Sequence, residues 1–110
     1  MVQDTQSARV ALDMLILTVL ERRGPSHGYD LANVLHEWSA EALRVEEGSL
    51  YPALHRMEEA GWVSATWTIT ELKRRARTYR ITRAGTRHLA GERERWDLFS
   101  SGVARVLRHA

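Results

Sequence analysis

The chain has 110 residues and a mass of 12.6 kDa, which makes one small domain with a modest core and room for one appended element. It contains no cysteine, which excludes a disulfide framework, a thiolate zinc site and a cysteine nucleophile, and suits a reducing cytoplasm, where the protein is expected. Hydrophobic residues at 44% and charged residues at 27% exclude wholesale disorder, and the net charge of +2 hides a strong asymmetry along the chain.

The first periodic segment runs from about Ala8 to Arg23. Val10, Met14, Leu17 and Leu20 fall at helical spacing, and Ala11, Leu15 and Ile16 widen the stripe. Ser7 is the expected N-cap, and Gly24-Pro25 the stop. Met14 to Leu20, the longest apolar run, is too short for a bilayer, and Met1 to Ala8 has no basic cluster of the signal-peptide kind. A soluble protein is expected. Ser26 is placed as the cap of a second helix, about His27 to Trp38, whose Gly28, Leu31, Ala32 and Leu35 repeat the helical face. Ala40 to Gly48 connects it to a third, about Ser49 to Ala60. Leu50, Ala53, Leu54 and Met57 form one buried face there, and Pro52 marks a helix just begun. The opposite face carries Ser49, Tyr51, Pro52, His55, Arg56 and Glu59.

After Gly61 the period drops to two. Trp62 to Thr70 and Arg77 to Thr82 alternate as short strands, making a hairpin with Glu71 to Ala76 at its tip. Thr82 caps a last helix, about Arg83 to Arg108, in which Leu89, Trp96, Phe99, Val103 and Val106 step by seven, three, four and three. That is a heptad seam in need of a partner. The expected fold is mainly α with a small β-hairpin: a winged helix-turn-helix domain over residues 1–82 and a C-terminal dimerisation helix over 83–110.

The charge follows this order. Asp30 to Glu59 holds seven acids against Arg44 and Arg56, whereas Leu72 to Gly91 holds no acid against seven bases, and Lys73 is the only lysine in the chain. Arginine grips phosphate with a flat bidentate fork, so an arginine-dense hairpin favours a polyanion. In a winged domain the third helix enters the major groove and the wing lies beside it.

Three segments carry a family resemblance. Gly24 to Leu31 (GPSHGYDL) resembles the GPLHGYEL segment of the PadR family of bacterial transcriptional regulators. Glu47 to Glu58 (EGSLYPALHRME) is similar to its EGSLYPALHRLE helix, and Arg74 to Thr82 (RRARTYRIT) to its RRAKYYRLT wing strand. The resemblance covers about residues 10 to 90 and looks like the shorter branch, with one C-terminal helix. The chain departs from it at the wing tip, where Thr70-Glu71-Leu72-Lys73 stands in place of the glycine or asparagine frequent before the arginines.

The resemblance implies a homodimeric repressor on a palindromic site in double-stranded DNA. The DNA-binding set is then Ser49, Tyr51, Pro52, His55 and Arg56 of the third helix with Lys73, Arg74, Arg75 and Arg77 of the wing. Tyr51 has a second reading, packing on the second helix, and Arg56 another, pairing with Glu59 or Glu46. His27, Gly28 and Tyr29 are read as structural, Tyr29 anchoring its turn. Leu89, Trp96, Phe99, Val103 and Val106 form the dimer seam. In multidrug-responsive relatives a tryptophan of the last helix meets its symmetry mate and sandwiches planar aromatic ligands, so Trp96 is either dimer core or effector contact. His55 and Glu59 have i, i+4 metal spacing but lack a third ligand. No catalytic residue, metal or cofactor is assigned. The first rival function is a winged-helix protein-interaction module without sequence-specific DNA binding, and the second an enzyme subunit or metal-dependent hydrolase using His27, His36 or His55.

Overall fold

The computed structural model describes residues 2–110, with side chains from Arg9 onward. Its elements are α1 (Val2–Arg23), β1 (Ser26–His27), α2 (Gly28–Trp38), α3 (Glu47–Glu59), β2 (Val63–Ile69), β3 (Arg75–Ile81) and α4 (Arg83–Leu107). The strands form one antiparallel sheet in the order β1-β3-β2. The expected hairpin is therefore two strands of three.

Local chemistry sets the boundaries. Gly24 ends α1 in the left-handed region (φ +95), its N–H donating to the Leu20 carbonyl at 3.0 Å. At the end of α3, Gly61 (φ +82) donates to the Glu58 carbonyl at 3.1 Å and Trp62 to the Met57 carbonyl at 2.9 Å. This paired closure satisfies two orphan carbonyls and turns the chain into β2. Thr82 caps α4 as expected, accepting from the Gly85 N–H at 3.0 Å.

Four expectations change. Ser26 caps nothing: its hydroxyl donates to the Gly24 carbonyl at 2.9 Å, and its backbone pairs with Tyr79 in β1, leaving His27 as the uncapped start of α2. Helix α1 begins at Val2, so Ser7 lies within it; the Ser7 side chain is outside those described. Helix α3 starts two residues before Ser49, and Pro52 sits inside it. Val10, expected on the buried stripe, is 43% exposed, because the stripe in contact with the core starts about one turn later.

The core gathers Ile16, Leu17, Val19 and Leu20 of α1, Leu31, Val34 and Leu35 of α2, and Leu50, Ala53, Leu54 and Met57 of α3. Val63 and Tyr79 close it from the sheet, and Leu89 from α4. Leu89 thus leaves the expected seam. The cause is Gly85, whose missing side chain lets α4 lie against the Trp62 carbonyl; a Cβ there would sit 2.1 Å from that oxygen. The core runs across Thr82 into the first turns of α4, while the rest of the helix projects, and the chain with it measures 59 × 29 × 28 Å.

Candidate nucleic-acid interface

The outward face of α3 presents Ser49, Tyr51, Pro52 and His55, all exposed, above the buried Leu50, Ala53, Leu54 and Met57. For Tyr51 the structure bears out the packing reading. A Cβ on Gly28 would meet the Tyr51 ring at 2.8 Å, so the ring rests on the first turn of α2, yet the side chain stays half exposed. Its hydroxyl is a hydrogen-bond donor on a ring held by packing. His55 Nε2 pairs with Glu59 at 3.2 Å on the surface, and no metal-holding cluster occurs among the described residues. Arg56 turns inward, its Nη2 donating at 3.0 Å to Asp13 of α1 rather than to Glu59 or Glu46. Burial raises the Asp13 carboxyl above its usual range, against the opposing pull of Arg56.

The wing has a base and a distal half. At its base, Val63, Ala65, Tyr79 and Ile81 face the core, and Ser26 and His27 pair with Tyr79 and Thr78 as the third strand. Beyond Thr78 only β2 and β3 remain. There Trp67 stands opposite Arg77 and Ile69 opposite Arg75. The Arg75 guanidinium lies 4.7 Å from the centre of the Trp67 ring, an exposed cation–π stack that holds the fork extended. Arg77 behaves differently. Its guanidinium lies 5.7 Å from both the Trp67 and Tyr79 rings, and its Nη2 donates to Glu58 of α3 at 2.8 Å. The hydrogen bond and charge of Glu58 raise the Arg77 pKa further. Its Nε is buried without a hydrogen-bond partner.

The tip closes by a Lys73 N–H to Thr70 carbonyl bond of 2.8 Å, with the Arg74 N–H also donating to the Thr70 hydroxyl at 3.2 Å. Lys73 takes a left-handed backbone (φ 58), at the step where glycine or asparagine is the low-cost residue. Lys73, Arg74 and Arg75 are exposed. On the other face of the sheet the Thr78 hydroxyl bridges Thr68 (2.8 Å) and His27 Nδ1 (3.2 Å), which gives His27 its structural place. Tyr29 does not anchor its turn; it is 70% exposed in the first turn of α2.

A second surface lies on the projecting part of α4. Trp96, Phe99, Val103 and Val106 are exposed, with Leu107 beside them. The Trp96 and Phe99 rings are 6.1 Å apart and tilted by 42°. Three contributors went unassigned in the sequence: Trp67 as the platform under Arg75, Glu58 as the partner of Arg77, and Asp13 as the partner of Arg56. The register of β2 on β3 is the one signal that could have found Trp67.

Residues 16–91 match the model of the transcriptional regulator PadR-like family. A transcriptional regulator from Clostridium thermocellum is 28% identical, with TM-score 0.81 over 91% of this chain and 96% of that one. A PadR-like transcriptional regulator from Bacillus cereus is 27% identical, with TM-score 0.79 over 96% and 99%. A PadR family transcriptional regulator from Eggerthella lenta is also 27% identical, with TM-score 0.75 over 98% and 92%. No curated protein matches the chain.

Proposed function

Because the chain belongs to the transcriptional regulator PadR-like family, a family of regulators rather than enzymes, we propose that it is a homodimeric repressor binding a palindromic promoter site in double-stranded DNA. One observation carries the reading. An exposed ribbon bearing Lys73, Arg74 and Arg75 is joined directly, through Arg77 and Glu58, to a helix whose outward face offers Ser49, Tyr51, Pro52 and His55. The helix face supplies hydrogen-bond donors and flat contact area for a groove. The ribbon supplies forks for phosphate. Of the wing arginines, Arg74 and Arg75 are the phosphate ligands in this reading, whereas Arg77, like Arg56 of α3, is held by a carboxylate.

Dimerisation is supported by α4. The stripe that enters the core at Leu89 continues seven residues on to Trp96 and seven further to Val103, where the side chains are exposed. That much apolar surface is more than a lone solvated helix sustains. A second copy would bury it, and two-fold symmetry would double the DNA contacts on a palindrome. None of the described helices is long and apolar enough to cross a membrane, and a cytoplasmic location goes with this function.

DNA recovered by the full chain from a random duplex pool tests the function. The expected result is an enriched inverted repeat bound far more tightly than a scrambled duplex, by a species sedimenting as a dimer. Equal binding to all duplexes, or none, would favour the protein-interaction module instead. Half-exposed Trp96 supports a second reading, a planar aromatic effector held between the two copies of that ring. Titration with a planar aromatic dye should then quench Trp96 fluorescence in a background with Trp38, Trp62 and Trp67 replaced by Phe, and should change DNA affinity.

A further inference from the structure

The wing is anchored unevenly. It is three-stranded only where β1 meets Thr78 and Tyr79. From Trp67 and Arg77 outward it is a two-stranded ribbon, and a bare ribbon of that kind is marginally stable and free to twist. Ile69 and Leu72, further along it, are largely exposed and touch no core. The first residue pair beyond the third strand is also where β3 reaches α3. There Arg77 Nη2 meets Glu58 Oε2 at 2.8 Å, with both side chains about one-third exposed. The Trp67 and Tyr79 rings flank the guanidinium. Position, distance and enclosure therefore fall on one ion pair.

We infer that Glu58 and Arg77 are positioning residues: their ion pair braces the distal ribbon against the recognition helix, fixing the angle at which Arg74 and Arg75 reach DNA when α3 is docked. The inference rests on the DNA-binding reading above. It makes Arg77 a strut and not a phosphate ligand, and it gives an acidic residue on a DNA-facing helix a reason to be there. Without a brace, each DNA complex would have to order the ribbon, and that cost would appear as lost affinity.

The sign of one substitution separates the brace from plain electrostatics. Glu58→Gln removes an acid from a surface that meets a polyanion and releases Arg77 to find a phosphate. Charge alone therefore predicts tighter binding with a steeper salt dependence. The brace predicts weaker binding with the salt dependence unchanged. Full-length wild type, Glu58→Gln, Arg77→Gln, the double variant and the swap Glu58→Arg/Arg77→Glu should be titrated on the pool-selected duplex at several salt concentrations, each after a thermal melt. The expected result is about tenfold weaker binding for either single variant, an unchanged salt slope, no further loss in the double variant, and recovery in the swap. Amide exchange should quicken from Trp67 to Arg77 in Glu58→Gln while the base of the hairpin keeps its protection, a readout that holds even without DNA. Glu58→Gln that binds as well as wild type or better, additive losses, or a swap no better than the singles would overturn the brace. Wild type that binds no duplex would overturn the DNA reading itself.

Discussion

Two glycines of α4 should respond to the same substitution with opposite signs. At Gly85 an added Cβ would lie 2.1 Å from the Trp62 carbonyl oxygen and 2.8 Å from Ile81 Cγ1, so backbone must move by about 1 Å. That carbonyl accepts the Thr82 N–H at 3.0 Å, and Thr82 in turn caps α4 and donates its hydroxyl to the Gly61 carbonyl at 2.6 Å. Crowding costs about 1–3 kcal/mol, and loss of two of these hydrogen bonds about 1 kcal/mol each. Alanine in place of glycine returns about 1 kcal/mol of helix propensity. Gly85→Ala should therefore destabilise by about 2–4 kcal/mol, lowering Tm by roughly 10–20 °C in a domain of this size. At Gly102 nothing lies within 4 Å of the added Cβ, so Gly102→Ala should stabilise by up to about 1 kcal/mol. Denaturant melts of both variants and wild type at one protein concentration make the comparison. Gly85→Ala as stable as wild type would refute the close packing of α4 on the α3–β2 junction.

Leu89→Ala should cost about 3 kcal/mol of folding stability, since it opens a cavity beside fully buried residues, and should leave dimer dissociation of the folded protein unchanged; a weakened dimer with unchanged folding would return Leu89 to the seam. Lys73→Gly should stabilise the wing by about 0.5–1 kcal/mol through relief of its left-handed backbone, read by chemical denaturation, and no gain would mean the turn carries no such strain. Burial raises the Tyr79 hydroxyl above its ordinary 10.0, so Tyr79 supports stability below pH 10 and that support is lost as pH rises through its folded pKa. An ultraviolet titration should show a late-ionising step that Tyr79→Phe removes; a titration curve whose late portion survives Tyr79→Phe would contradict the burial argument.

What the sequence disclosed was local. Gly24, Gly61 and Thr82 act within a turn of their own position, and their caps were readable because the chemistry needs nothing distant. Helix α3 was readable from its 3.6-residue spacing, though Glu47 and Gly48 carry no apolar side chain to extend it to its true start. A two-residue strand has no period at all, so β1 was invisible, and Ser26 looked like a cap. The ion pairs of Arg56 with Asp13 and Arg77 with Glu58 span 43 and 19 residues, beyond any spacing rule within one element. Leu89 failed for another reason. One seven-residue repeat runs from the domain's own core onto the open half of α4, and the period does not say where one partner ends and the next begins.

The central claim is that the exposed wing arginines grip DNA phosphate, and the salt dependence of binding measures it most directly. Replacing Arg74 and Arg75 by alanine removes two contacts in each of two protomers, so the slope of log affinity against log salt should flatten by about 3.6, at about 0.9 per phosphate contact, for selected and scrambled duplexes alike. An unchanged slope with unchanged affinity would contradict the account and take the wing off the DNA.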